Sequence, residues 1–315
     1  MLKKKHNAAR RLGVSDSVHL QQRRSRNALS NNAMKPTLLL AALSLLFGPL
    51  AHAAPPANLV RAELLADTST IAPGSTFTLG VKFTIKPQWH IYWANAGETG
   101  TPTQITPTGP TGFTFGPILW PLPSKLNTEA GLSYAYENQV LLLIPVTVPK
   151  DAPTGEVTLS ANVKWLACHD TCIEGKAPLS ISLTVAPEAK PANTELFQTW
   201  RAKLPIDTEA ATELKNAQQA DSADGTPKPI LNVQLKEAPA KIDWYPLSTR
   251  AVMIEDVTVK QTGAIARIEF KPTIFKADQL PPDGTVGGVL VLEDAKGNRR
   301  GITLPVWVVK HKPRE

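Results

Sequence analysis

The chain of 315 residues is 42% hydrophobic and 19% charged, a globular composition that excludes a natively unstructured tail. Its formal charge of +7 invites a phosphate-binding reading, but residues 1–53 hold nine Lys/Arg against a single acid, Asp16. The rest of the chain carries 25 basic and 26 acidic residues, so the electrostatic footprint of a nucleic-acid binder is missing and no nucleic-acid partner is expected.

Residues 38–50 form an uncharged apolar run of 13, shorter than the roughly 20 residues that cross a bilayer and suited to the core of a signal peptide. Met34-Lys35 supplies a start and a short positive lead, and Ala51-His52-Ala53 supplies a small-x-small cleavage pattern. Residues 1–53 are therefore read as a leader, with the signal peptide beginning at about residue 34 and cleavage after Ala53. The mature chain is expected in an exported compartment.

Beyond the leader the fold class reads as all-β. Short apolar runs are separated by Pro and Gly, and the 28 prolines disfavour long helices. Thr76–Lys86 alternates, with Phe77, Leu79, Val81, Phe83 and Ile85 on one face, the period of a half-buried strand. Val140–Val148 is a continuous apolar strand. The alternation returns in Val157–Ala167 and in Leu179–Val185, which together predict an immunoglobulin-like sandwich over residues 56–187. From Pro187 the pattern changes. Leu196, Phe197, Trp200 and Leu204 have helical spacing behind an Asn/Thr cap, Thr208–Ala220 reads as a second, polar helical stretch, and residues 221–229 read as a linker. Residues 188–228 are thus expected to be a helical connector. Phe197 and Trp200 share a helix face and are expected to pack on a neighbouring domain. Strand patterns at Ile254–Lys260, Ala264–Phe270, Val286–Leu292 and Ile302–Val309, with a hairpin turn at Asp294–Asn298, predict a second, smaller β-sandwich-like domain over 229–311.

Chemistry concentrates in Trp165-Leu-Ala-Cys168-His169-Asp170-Thr171-Cys172-Ile173, which holds the only two cysteines. A ring of about five residues contributes only around 2 kcal/mol on the chain-entropy estimate, so a structural staple is one reading and a redox-active pair another. A third is a soft metal site, in which Cys168, Cys172 and His169 hold Cu(I), with His90 or His311 as further donors. The pair lies at the end of a strand, on a loop above the sheet. His169 stabilises a thiolate when protonated, whereas Asp170 opposes one. Cys168, beside Trp165 and Leu166, is expected to be the more sheltered sulfur and Cys172 the more accessible. In Trp89-His90-Ile91-Tyr92-Trp93 a strand puts Trp89, Ile91 and Trp93 on one face and His90 with Tyr92 on the other. The first set suits a core, the second an interface, and His90 is also a candidate ligand or acid–base group. Trp120, Tyr134 and Tyr136 suit either core or an interface near the cysteines. No phosphate-cradling glycine motif and no hydrolase constellation is visible.

Taken in order, Trp89-His-Ile-Tyr-Trp93, Gly97-Glu-Thr-Gly-Thr-Pro102-Thr, Trp120-Pro-Leu-Pro123, Tyr134-Ala-Tyr-Glu137 and Trp165-Leu-Ala-Cys168-His-Asp-Thr-Cys172 resemble the periplasmic amino-terminal region of the DsbD family of thiol:disulfide interchange proteins, in its ScsB-like branch. The likeness covers about residues 60–186, and residues 190–310 are similar to the second β domain of that branch. It implies an immunoglobulin-like domain in the periplasm whose cysteines take electrons from a membrane-embedded donor and pass them to thioredoxin-like or disulfide-containing proteins. The implied catalytic residues are Cys168 and Cys172, with Cys172 joining the partner, and no cofactor beyond the disulfide. His169, Asp170, Tyr134 and Tyr136 are candidate modulators. The family's membrane and thioredoxin-like domains do not follow in this sequence, so the donor is expected on a separate chain. A loop that shields the cysteines in the family corresponds to Ser124–Ser133.

Overall fold

The computed structural model describes residues 59–129, 131–221, 229–249, 251–282 and 284–308. The leader, its cleavage point, most of the 221–229 linker and His311 lie outside the described residues. The first half contains β1 (Val60–Ala66), β2 (Thr68–Ile71), β3 (Thr76–Ile85), β4 (His90–Gly97), β5 (Gln104–Thr108), β6 (Thr114–Phe115), β7 (Ser124–Thr128), β8 (Gly131–Glu137), β9 (Gln139–Thr147), β10 (Gly155–Cys168), β11 (Cys172–Val185) and β12 (Lys190–Pro191). One sheet runs β1-β3-β9-β6. The other runs β12-β2-β11-β10-β4-β8-β7, with β5 also paired to β10. Between them lies an immunoglobulin-like core in which the alternating residues of β3 meet Val140, Leu142 and Ile144 of β9 and Leu159, Ala161 and Val163 of β10, while Leu141 and Leu143 face the opposite side of their sheet with Gly80. Among the described residues the chain is all-β, with one short α-helix and two single 3-10 turns, as the alternation predicts.

That helix, α1 (Thr194–Arg201), packs as expected: Phe197 and Trp200 are buried in the first core. Phe197 sits over Gly80 of β3, where a Cβ would lie 2.9 Å from its Cζ. The predicted side-chain cap does not form. Asn193 takes the left-handed conformation, φ 50°, and its Nδ2 donates to the Ala66 carbonyl at 2.9 Å, tying the helix to β1 instead.

After α1 come β13 (Ile206–Asp207), β14 (Leu214–Asp221), β15 (Pro229–Leu235), β16 (Lys241–Pro246), β17 (Val252–Thr262), β18 (Ile265–Ile274), β19 (Thr285–Glu293) and β20 (Arg299–Trp307). They form two further sheets, β13-β20-β19-β16 and β14-β15-β18-β17, around a second core. The helical reading of Thr208–Ala220 is corrected here, because residues 214–221 are strand. A register shift between Leu214 and Asn216 inserts one extra residue, so Leu214 faces Leu235 while Ala217 faces Val233. Two residues three apart thus reach one face of a strand, imitating helical spacing. Strand structure belonging to the second half therefore begins before residue 229, and among the described residues of 188–228 the helical part is α1 together with one 3-10 turn at Thr208–Ala210.

The sheet containing β16 and β19 is covered on both faces. Ile242, Trp244, Leu290 and Leu292 enter the second core, whereas Tyr245, Val289 and Val291 join the first. Lys125 of β7 pairs with Asp243, and Asn95 Nδ2 donates to the Pro246 carbonyl at 2.8 Å.

Candidate functional site

β10 and β11 form a long hairpin in unbroken register from Gly155↔Val185 to Cys168↔Cys172. Alternation sets the face of each residue, so Val163 and Ala167 point to the core while Leu166 and Cys168 point away from it. Near the tip, Gly175 lies under the Trp165 indole, where a Cβ would come within 2.2 Å of Cε2. Trp165 in turn meets Phe83 edge-on with ring centroids 5.7 Å apart. The aromatic is thereby fixed on the core side, and the end of the hairpin rests on it. His169, Asp170 and Thr171 make the tip, closed by the His169 amide donating to the Thr171 carbonyl at 3.1 Å. Cys168 and Cys172 are joined by a disulfide.

On its other edge Cys168 pairs with His90 of β4, and His90 pairs with Glu137 of β8. Directly opposed residues share a face, so Glu137, His90, Cys168 and Cys172 form one row across four strands. Burial divides the row: Cys168 is 2% and His90 7% exposed, while Cys172 and Glu137 are open to solvent. Cys168 packs with Tyr92, Ala96 and Leu166. His90 Nε2 is 3.3 Å from Tyr92 Oη, and the two rings meet edge-on. Burial, reinforced by nearby His169, lowers the His90 pKa, so its imidazole is held neutral. His169 stands at the tip with Nδ1 3.0 Å from Asp170 Oδ1 and its ring 6.0 Å from Trp89.

The predicted division of the Trp89–Trp93 strand is found: Ile91 and Trp93 lie in the core, His90 and Tyr92 on the cysteine face. Of the two readings for Tyr134 and Tyr136, the core one is found. Tyr136 pairs with Ile91 and both tyrosines enter the first core, on the face opposite Cys168. Tyr136 Oη donates to the Pro121 carbonyl at 2.6 Å, and burial raises its pKa well above the usual value. Tyr134 packs on Trp93 and Tyr245, with burial again raising its pKa. Trp120 also packs on the first core. Ser124–Ser133 is not a free loop over the pair: it forms most of the β7–β8 hairpin, and β7 is separated from β10 by β4 and β8.

Residues that sequence reasoning left unassigned close the cysteine face. Gly100, at φ 86°, packs flat on the Tyr92 ring, where a Cβ would come within 2.1 Å, so only glycine fits. Thr103 Oγ1 donates to the Tyr92 carbonyl at 3.0 Å, and the Thr99 and Ser133 hydroxyls meet at 2.6 Å. The Gly97–Thr103 run was legible as a motif, but its place over Tyr92 depends on the β4–β5 connection. Beside the pair lies a groove of about 490 Å³, lined by Thr101, Pro102, Trp165, Leu166, Gly175 and Lys176, among others. Among the described residues, no group of three or more His, Cys, Asp or Glu side chains could hold a metal ion, and no helix is long and apolar enough to cross a membrane.

An immunoglobulin-like sandwich with a disulfide at a hairpin tip, one sulfur sheltered and the other open, fits a module of thiol-disulfide electron transfer, with the disulfide itself as the redox group. The comparisons make the class specific. Residues 60–183 match the family model described as thiol:disulfide interchange protein DsbD, N-terminal, so this part of the chain is similar to the DsbD N-terminal domain. The fold is similar to the N-terminal periplasmic domain of ScsB from Proteus mirabilis, at 16% identity and a TM-score of 0.57 over 81% of this chain and 96% of that one. The Neisseria meningitidis DsbD N-terminal domain in its reduced form aligns at 14% identity and a TM-score of 0.23, over 44% of this chain and 96% of that one. Comparison with curated protein sequences gives no match.

Proposed function

We propose that this protein is an exported disulfide reductase that passes electrons through the Cys168/Cys172 dithiol to periplasmic partners. Its electrons come from a membrane-embedded donor, and its acceptors are thioredoxin-like or disulfide-containing proteins. The carrying observation is the asymmetry of the pair: Cys168 is buried and Cys172 exposed at the hairpin tip. Exchange requires a sulfur approachable along the line of the breaking bond, which favours Cys172 as the atom that joins the partner. Cys168, held behind it, then resolves the mixed disulfide. The groove beside Leu166 and Lys176, on the same hairpin as the pair, offers a partner segment a seat. The leader pattern before Ala54 and the periplasmic origin of the ScsB domain support the location.

Trapping tests the reading. Cys168→Ser should accumulate covalent adducts with exported thioredoxin-like proteins, released by reductant, and Cys172→Ser should not. The reverse pattern would exchange the two roles. A reduction potential below about −300 mV, the range of structural disulfides, with no adduct in either variant, would return the pair to a staple.

A further inference from the structure

The row Glu137–His90–Cys168–Cys172 places a buried imidazole on one side of the sheltered sulfur and the exposed sulfur on the other. Resting on the exchange reading above, we infer that His90 takes the proton of Cys168 and so releases it as the resolving thiolate. A resolving thiol must lose its proton, and Cys168 is too enclosed to pass it directly to water. Directly opposed side chains on paired strands lie about 4.5–5.5 Å apart at Cβ, so His90 and Cys168 are immediate neighbours on one face, and both pack against Tyr92. One tautomer has Nε2–H donating to Tyr92 Oη, within 3.3 Å, and leaves Nδ1 as the base. Burial holds the ring neutral, the state that accepts a proton. The titratable groups around His90 are Tyr92 on its own strand, Glu137 on β8, Cys168 on β10, and His169 with Asp170 at the tip.

The step balances as follows. Cys172 thiolate attacks one sulfur of the partner disulfide, a mixed disulfide forms, and the partner's other sulfur leaves as thiolate. Cys168 gives its proton to His90 and attacks Cys172 Sγ. The Cys172–partner bond breaks, the second partner sulfur leaves as thiolate, and the pair is left oxidised by two electrons while the partner is reduced by two.

Reacting the reduced protein with an aromatic disulfide that releases a coloured thiolate separates the two events. The first release reports attack by Cys172 and the second reports resolution by Cys168. In the unaltered protein the rate of the second release should level off near neutral pH. A rise of about tenfold per pH unit through pH 8, the behaviour of an unassisted thiol with a pKa near 8.5, would overturn the inference and needs no variant. In His90→Gln and His90→Phe the ratio of second to first release rate should fall at least tenfold, and the plateau should be lost. An unchanged ratio in both variants overturns the His90 assignment alone. Failure of Cys168→Ser to give any first release overturns the exchange reading on which it rests.

Discussion

Cys168 and Cys172 differ in exposure because they end facing strands with different neighbours: β10 is flanked by β4 as well as β11 at this height, whereas the Cys172 side chain lies open at the tip. The same enclosure acts on His90. Its lowered pKa means that the folded state binds fewer protons than the unfolded chain as the pH falls below the ordinary histidine value near 6.5. Stability should therefore drop on acidification through that window and recover as the pH rises. His90→Gln should flatten this part of the curve, measured by urea unfolding between pH 5 and pH 8; an unchanged slope would show that other groups carry it. Tyr136 gives a contrasting case. Tyr136→Phe removes the hydrogen bond to the Pro121 carbonyl and should cost about 1–2 kcal/mol, with disulfide-exchange rates unaltered because the ring faces the core. A fall in exchange rate without loss of stability would restore Tyr136 as a modulator.

The β10–β11 hairpin holds the cysteine pair in a register fixed along its whole length. A one-residue slip would turn Cys168 into the core and Trp165 out of it. Gly175 is one of the points that pin the register, since only a residue without Cβ admits the Trp165 indole above it. Gly175→Ala should overpack this contact, destabilise the protein by about 1–3 kcal/mol and lower the thermal midpoint. A neutral effect would mean that the indole moves aside freely. β14 teaches the opposite lesson about periodicity. Its apolar residues are spaced as in a helix, but a bulge restores them to one strand face, and the ladder to β15 decides the outcome.

Across the whole described chain, the two halves share the sheet of β16 and β19, which sends alternate residues into two cores. Tyr245 is central to the join. It meets Tyr134 at 5.3 Å and Trp93 at 6.3 Å between ring centroids, and its hydroxyl accepts from Arg299 at 2.8 Å. Burial pushes its pKa up to about 12, against the pull of Arg299, so it stays neutral throughout the physiological range. Tyr245→Ala should cost about 3–5 kcal/mol and split one calorimetric unfolding transition into two. A single transition at a lower midpoint would show that Lys125–Asp243 and Asn95–Pro246 hold the halves together without it.

Composition, alternation and the two cysteines by themselves determined the β class, the first sandwich, the packed face of α1 and the faces of the Trp89–Trp93 strand. These are local properties, because side-chain direction in a strand or helix follows from its period. The pairing of His90 with Cys168 was beyond such reading, as 78 residues of chain separate them and only the β4–β10 ladder brings them together. So was the fate of Tyr134 and Tyr136: their spacing put them on one face, but the neighbour of that face, core or cysteine pair, was set by the order of the strands. Sheet order and register arise from contacts distant in sequence, whose free energy is shared across the whole core rather than written in any one segment.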